Sequence, residues 1–240
     1  MSWLVVLIAA PVASFGEAPG NARRGSADRP TRSALLGLAG AALGVERADQ
    51  ARQDALAASF LTATRTLSSG VPLSDFHTFQ SLPAAKGPVT TRADALARRA
   101  DLETSITRRD YRSDGQWQAA YTARKSAVFS LEELRSAFLR PRFALWAGRK
   151  SCPLAHPLAP LIVSADEIGD VFATHAKHVG LPDRRTATTI AIDARIARPA
   201  RANNARRLRR MDEPGDRTHW HFSARHELVF RMAPTEETAP

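Results

Sequence analysis

The first quarter of the chain alternates apolar runs with breaker residues, and this pattern predicts a strand, two helices and a second strand. Residues 3–10 form an unbroken, β-branched-rich apolar run that is typical of a buried strand. Thr31 precedes a helical apolar face that ends at Gly44, so a capped helix is expected there. A short helix over residues 49–59 then leads into an alternating, threonine-rich strand over residues 60–67.

The next part of the chain is less regular. A Ser69-Gly70 turn would pair the strand over residues 60–67 with residues 71–76. Residues 78–103 show neither a helix period nor a strand period. A long unpatterned segment in a compact domain is usually functional or disordered, so we expect a projecting arm that becomes ordered against a partner.

Two further strands are expected over residues 104–111 and 116–122. The Asp114-Gly115 dipeptide between them favours a tight turn. Together these segments predict a hairpin.

Capping signals mark two helices in the second half of the chain. Ser130 and Glu133 have the spacing of a capping box, and Pro141 ends the helix that they begin. The same spacing recurs over residues 164–167, between an expected strand over residues 161–163 and a short helix.

The C-terminal part of the chain, residues 161–240, closes with expected strands over residues 186–196 and 220–232. Between them, residues 195–210 hold seven arginines and no acid. Such a run more often forms a solvated basic loop than a dedicated site, and direct nucleic-acid contact is the alternative. The order of elements predicts one α+β domain over residues 1–240, built on ferredoxin-like βαββαβ units.

The charge of the chain points to a polyanionic partner. The formal net charge is +10, and only four of the 34 basic residues are lysine. Arginine suits bidentate phosphate recognition and stacking on bases. No basic amphipathic helix stands out, so nucleic acid is favoured over a membrane surface.

Cysteine usage and the N-terminus bear on the compartment. Cys152 is the only cysteine, so no intrachain disulfide can form, and a reducing, cytoplasmic location is expected. Residues 3–10 and the small residues after them resemble a secretory signal. No basic segment precedes this run, however, and the strand interpretation is favoured.

The densest candidate chemistry lies in residues 140–151, which combine cations and aromatics without an acid. Arginine and lysine bind phosphates, tryptophan can stack on a base, and a Gly-Arg-Lys-Ser turn can present backbone N–H groups to an oxyanion. A buried strand over residues 143–146 with solvated arginines around it is the alternative. The RNA-contact candidates here are Arg140, Arg142, Trp146, Gly148, Arg149, Lys150 and Ser151.

A second candidate site is the start of the first helix, at Thr31, Arg32 and Ser33. Unpaired backbone N–H groups and the helix dipole favour a phosphate there, and Arg32 would add a bidentate clamp. The alternative is a simple N-cap at Thr31 with a solvated Arg32. Arg109 and Tyr111 would share one face of a strand, where they could also contact RNA.

Cleavage of RNA without a metal would need a base, an acid and a cation close together. The chain offers candidates for these roles, but none forms a spacing that requires catalysis. One cysteine and no acidic cluster argue against a zinc or magnesium site, and no cofactor is expected. The candidates are His77, Tyr111, Tyr121, Lys125, His219 and His221.

Two separated blocks carry a family resemblance. Residues 30–45 and residues 148–158 are similar to the CasD-type subunit of subtype I-E CRISPR Cascade complexes, which belongs to the RAMP superfamily. The chain departs from this family over residues 79–103 and in the arginine-rich stretch before Arg210. Shorter matches follow the same order at residues 14–16, 75–78, 107–111 and 222–227.

The resemblance implies a noncatalytic subunit that binds the 5′ handle of the CRISPR RNA and caps one end of the complex. It implies a modified ferredoxin-like domain with a protruding thumb near residues 77–112, and it adds His77 to the RNA-contact candidates. The implied partners are the repeated backbone subunit and the large subunit, with target DNA contacted indirectly. A metal-independent endoribonuclease remains the alternative, because the related subunit of subtype I-C cuts precursor RNA itself.

Overall fold

The structure is a computed structural model that describes residues 1–16, 22–182, 188–200, 202–216, 219 and 221–232. Its strands are β1 (Ser2–Ala13), β2 (Arg23–Arg24), β3 (Phe60–Ser68), β4 (Val71–Ser81), β5 (Glu103–Ala123), β6 (Leu161–Ser164), β7 (Thr189–Asp193), β8 (Ala202–Pro214) and β9 (Phe222–Met232). Its α-helices are α1 (Arg32–Leu43), α2 (Gln50–Ser59), α3 (Arg92–Ala97), α4 (Leu131–Leu139) and α5 (Ile168–His178).

These strands belong to one sheet in which β5 is the longest member. The main path runs β6-β1-β5-β3-β7-β9-β8, while β2 and β4 pair with β5 outside that path. Every pairing is antiparallel except that of β2 with β5. The predicted mixture of strands and helices is therefore present, as a mostly antiparallel sheet.

The position of β1 explains the unbroken apolar run near the start of the chain. Leu4, Val6 and Ile8 pack in a core cluster with α1 and α4. Trp3 and Val5 pack in a second cluster with α5. Successive side chains of a strand point to opposite faces, so a strand that is covered on both faces has no polar side.

The predicted capping residues are confirmed for two helices. The hydroxyl of Thr31 accepts a hydrogen bond from the backbone N–H of Ala34, and Gly44 ends α1 with a φ of 71°. Ser130 and Glu133 form a reciprocal capping box at the start of α4. Capping depends on neighbours in sequence, which is why the sequence alone could locate these boundaries.

β5 corrects the predicted hairpin around Asp114 and Gly115. β4 pairs with β5 up to Ser113, and β3 pairs with it from Gln116 onwards. Asp114 has a φ of 55°, so the dipeptide is an irregularity at the point where one continuous strand changes partner. The predicted pairing of β3 with β4 is wrong for the same reason, because β5 takes both of them as neighbours.

Other sequence expectations also need correction. The basic segment 195–210 is a strand rather than a loop from Ala202 onwards, because β8 pairs with β9 there. Segment 78–103 is more regular than expected, since it contains the end of β4, the short helix α3 and two single 3-10 turns. At residues 164–167 no capping box forms, and Glu167 precedes α5 without a side-chain capping bond.

The two closing strands are confirmed within the described residues as β7 and β9. Residues 186, 187 and 220 of the expected segments lie outside the described part of the chain. Within that part, no helix is long and apolar enough to cross a membrane.

Candidate nucleic-acid interface

β4 and the N-terminal half of β5 form a two-stranded ribbon, residues 71–81 and 103–113. Most side chains of this ribbon are exposed. In this ribbon Tyr111 lies opposite Leu73, and Arg109 lies opposite Asp75. His77 lies opposite the next alternate residue of β5. Directly opposed residues and their i+2 neighbours share a face. The structure therefore places three RNA-contact candidates, His77, Arg109 and Tyr111, on one face of the ribbon.

The turn over residues 146–153 is fixed against the end of β1. The backbone N–H of Ser14 donates to the carbonyl of Ala147 at 3.0 Å, and the N–H of Ala147 donates to the carbonyl of Cys152 at 2.8 Å. Gly148 has a φ of 94°, and a Cβ at this position would lie 1.8 Å from the carbonyl oxygen of Ser14. Only glycine allows the chain to approach β1 this closely.

This turn brings Arg149 onto the base of the ribbon. Its guanidinium carbon lies 4.9 Å from the centre of the Tyr111 ring, which is a cation–π distance. Nη2 donates to the backbone carbonyl of Arg24 at 3.1 Å. Nη1 is buried and has no hydrogen-bond partner in the described part of the chain. Arg149 and Tyr111, which the sequence suggested separately, are therefore in direct contact.

Asp110 balances part of the positive charge here. Its carboxylate accepts hydrogen bonds from Arg23 Nε at 2.8 Å and from the hydroxyl of Ser74 at 2.9 Å. Burial acts to raise the pKa of Asp110. The bonds from Arg23 and Ser74, with the charges of Arg23 and Arg149, outweigh burial and leave that pKa below its usual value. Asp110 thus stays ionised while the cations around it remain in excess.

Sequence patterns did not single out Arg23, Arg24 or Asp110. β2 is only two residues long and joins β5 by a parallel pairing, Arg23 beside Arg108 and Arg24 beside Arg109. The paired residues are more than 80 positions apart in sequence. A local sequence pattern therefore could not predict this pairing. Two adjacent arginines were the only available signal.

The helix-start site is corrected by the structure. The side chain of Arg32 is fully buried, and its Nε donates to Glu213 at 2.9 Å. Nη1 and Nη2 donate to the backbone carbonyls of Phe60 and Ala57 at 2.9 and 2.8 Å. Burial lowers the pKa of Arg32, and Glu213 opposes that shift. The guanidinium is therefore committed to acceptors of the chain itself rather than to a phosphate.

An acid of the chain already occupies the start of α1. The backbone N–H of Arg32 donates to Asp212 Oδ2 at 2.8 Å, and Thr31 caps the helix. The hydroxyl of Ser33 lies 3.1 Å from that of Thr31. The start of α1 does hold an anion, but this anion is the carboxylate of Asp212 rather than an RNA phosphate.

Arg140 lies at the C-terminal end of α4, and Arg142 lies beside the C-terminal end of α1. The backbone N–H of Arg142 donates to Ala42 at 3.0 Å, and both arginines are exposed. The alternative of a buried strand over residues 143–146 is wrong. Phe143 is 43% exposed, and Trp146 is half-buried in an isolated bridge.

The candidates for RNA cleavage lie in separate places within the described residues. His77 and Tyr111 lie on the ribbon, and His219 and His221 lie together before β9, with ring centres 5.7 Å apart. The hydroxyl of Tyr121 is buried, donates to the carbonyl of Leu35 and has a raised pKa because of that burial. His77 contacts Asp75 on the ribbon, and His219 contacts an acid in the loop before β9. Lys125 is exposed just after β5. Among the described residues, no group of three or more His, Cys, Asp and Glu could hold a metal ion.

Comparison with known proteins adds a family and a fold. The family model described as "CRISPR-associated protein (Cas_Cas5)" matches residues 3–227. "CRISPR system Cascade subunit CasD" of Escherichia coli (strain K12) is 33% identical over 165 residues, which cover 65% of this chain and 69% of that protein.

Two solved structures share the fold. "CRISPR RNA-guided surveillance complex" matches with a TM-score of 0.63 and 23% identity, over 96% of this chain and 90% of that one. "Crystal structure of Cas protein" matches with a TM-score of 0.57 and 21% identity, over 96% of this chain and 95% of that one.

Proposed function

The chain belongs to the CRISPR-associated protein (Cas_Cas5) family, and from this membership we propose that it is a noncatalytic subunit of a type I-E CRISPR surveillance complex. Its role would be to hold the 5′ handle of the guide RNA. The family match covers nearly the whole chain, and the Escherichia coli relative is named as a Cascade subunit. The net charge of +10 supports a nucleic-acid partner.

In this proposal the strands and helices have assigned parts. β1, α1, β3, β5, α4 and β6 form the ferredoxin-like βαββαβ unit, and their order in the sheet, β6-β1-β5-β3, supports that assignment. The ribbon of β4 and β5, with α3 at its end, is the thumb. Its exposure supports this role, because an arm that contacts RNA or a neighbouring subunit must project from the domain.

The contact of Arg149 with Tyr111 is the observation that carries the RNA-binding proposal. A guanidinium held against an aromatic ring suits a phosphate oxygen, and its buried Nη1, which lacks a partner in the described residues, leaves one donor unsatisfied in the free protein. Arg109 and His77 extend the same face of the ribbon, and Lys150 and Ser151 follow in the turn. The handle would therefore run along the ribbon face and across residues 148–151.

The proposed assembly is hetero-oligomeric. The ribbon exposes apolar side chains, among them Val71, Phe76 and Ile106, which are 66%, 56% and 53% exposed. Exposed apolar groups on a charged arm support contact with neighbouring molecules. We assign these contacts to the backbone subunit and the large subunit, with target DNA engaged through the complex, in the cytoplasm.

We expect Arg149→Ala combined with Lys150→Ala to weaken binding of handle RNA at least about tenfold at fixed salt. Each hydrogen bond between charged groups contributes about 1.5–3 kcal/mol, and tenfold corresponds to about 1.4 kcal/mol. The matched control is Arg124→Ala with Lys125→Ala, an exposed pair of the same types just after β5. Equal affinities of the two variants for handle RNA would remove the turn from the site.

The noncatalytic assignment has its own test. Purified protein incubated with repeat RNA in EDTA should leave the RNA intact, because the candidate acid, base and cation groups do not converge in the described residues. Gel electrophoresis of the products provides the measurement. A specific cut at the handle boundary would establish the endoribonuclease instead.

A further inference from the structure

The outer edge of the sheet carries a set of arginines that the handle site does not use. β8 pairs only with β9 in the described part of the chain and is the last strand of the path. Arg206, Arg207 and Arg209 are exposed on this strand. Within the described residues, none of these three side chains takes part in a hydrogen bond or ion pair.

The acids of the same hairpin are bound by arginines that are buried or half-buried. Arg225 forms two hydrogen bonds with Asp212, at 2.7 and 2.9 Å, and one with Glu227, at 3.1 Å. Asp212 and Glu227 are buried, and Glu213 is bound by Arg32. The exposed side chains of β8 and β9 in the described residues include no carboxylate. Within the described residues, the exposed arginines of β8 are therefore not paired with acids of this hairpin.

The strand geometry orders this charge. Arg207 lies opposite Leu228 and Arg209 lies opposite His226, so Arg207, Arg209 and His226 share one face. Residues two apart on a strand are separated by about 6.7 Å. Arg206 points to the opposite face, which it shares with Glu227, at the same edge. Outward N–H groups of an edge strand add further donors.

We propose that the β8 edge binds the phosphodiester backbone of a nucleic acid at a second site, separate from the ribbon and the turn over residues 146–153. Guanidinium groups bind phosphates with paired N–H donors, and charge complementarity selects a polyanion. DNA and RNA share this backbone chemistry. The site reads charge rather than sequence, because phosphate contacts carry no direct information about the bases.

A competing explanation is protection of the edge. Charged side chains on an edge strand prevent it from pairing with strands of other molecules. Edge protection predicts that loss of the arginines changes aggregation only. Phosphate binding predicts a change in the salt dependence of nucleic-acid affinity.

The test replaces Arg206, Arg207 and Arg209 with glutamine. The control replaces Arg52, Arg124 and Arg135 in the same way, which gives the same change in net charge elsewhere on the protein. Binding of a short DNA duplex of arbitrary sequence, and of a single-stranded RNA without a handle, is measured over a series of salt concentrations. Each phosphate contact contributes about 0.9 to the slope of log affinity against log salt for B-DNA, and about 0.7 for single strands.

We expect the β8 variant to lose about 2–3 units of slope on the nucleic acid that this edge binds, and the control to lose less than about one. The arm with the larger loss, DNA or RNA, identifies the source of the phosphates. Slopes equal to those of the control on both nucleic acids would overturn the proposal. If the triple variant aggregates, Arg207→Gln with Arg209→Gln replaces it in the test. This variant keeps one edge charge and should lose about two thirds as much slope.

Failure of this site can be told apart from failure of the handle site. The β8 variant should keep its preference for handle RNA over scrambled RNA. Arg149→Ala with Lys150→Ala should lose that preference while keeping most of its non-specific slope. A β8 variant that loses only the preference would contradict a separate phosphate site.

Discussion

Arg32→Met should lower the free energy of unfolding by about 3–5 kcal/mol, the range for breaking a buried ion pair by removal of one partner. The guanidinium joins Glu213 to the backbone carbonyls of Phe60 and Ala57 and has no exposed surface. Methionine fills a similar volume but leaves those acceptors without donors. Chemical denaturation of the variant and the parent protein measures the difference.

Arg23→Met is the control for this prediction. Arg23 also binds an acid through Nε at 2.8 Å, but its side chain is 72% exposed. Exposed ion pairs contribute about 0–1 kcal/mol, so this variant should unfold nearly as the parent does. Comparable losses in the two variants would show that burial of Arg32 does not determine its contribution.

Arg32→Lys separates the two roles considered for this residue. Lysine keeps the charge but cannot reproduce the fork that reaches three acceptors at once. It should destabilise the protein while the folded fraction binds handle RNA with parental affinity. Weaker RNA binding by a variant of parental stability would instead support the hypothesis that Arg32 clamps an RNA phosphate.

Arg32 is one member of a larger charge network that attaches the β8–β9 hairpin to the start of α1. Arg29 contacts Glu227, and the side chain of Arg195 donates to Glu213 at 3.0 Å and to Asp193 at 2.8 and 2.6 Å. Because these pairs bind the acids of the hairpin, the exposed arginines of β8 have no carboxylate of the hairpin as a partner in the described residues. The same ion pairs therefore stabilise the hairpin and leave positive charge exposed along β8.

The sequence located what depends on neighbouring residues. The caps at Thr31, Gly44 and Ser130 are local hydrogen-bond patterns, so residue type and spacing sufficed. The Gly-Arg-Lys-Ser turn was likewise predicted from residue type, because glycine lets backbone N–H groups approach an oxyanion beside two cations. The RNA contacts of this turn stay a prediction until binding is measured.

Features that depend on distant parts of the chain were missed. Asp114-Gly115 has the composition of a hairpin turn. No hairpin forms there because β3 and β4 both pair with β5, which continues through these two residues. Arg32 was predicted to clamp a phosphate, with a solvated side chain as the alternative, because Glu213 and Asp212 lie about 180 residues away in sequence. Pattern reasoning has no access to such pairings, and the same limit applied to β8, whose arginines suggested a loop.

Gly148→Ala should disrupt the turn and handle binding together. A Cβ at this position would lie 1.8 Å from the carbonyl oxygen of Ser14 and 2.7 Å from its carbon, both of which are backbone atoms. Backbone cannot rotate away as a side chain can, so the turn must leave β1. Left-handed φ adds about 1–2 kcal/mol of strain. Loss of the turn withdraws Arg149 from Tyr111.

Gly180→Ala tests whether strain alone would produce this result. Gly180 has a φ of 70°, and a Cβ added there would meet no described atom within 4 Å, so alanine is strained but finds open space. We expect Gly148→Ala to weaken handle binding as much as Arg149→Ala with Lys150→Ala does, and Gly180→Ala to leave it unchanged. Should Gly148→Ala bind handle RNA normally, the close approach of this turn to β1 would not position Arg149, and the contact with Tyr111 would have to be maintained by Arg24 alone.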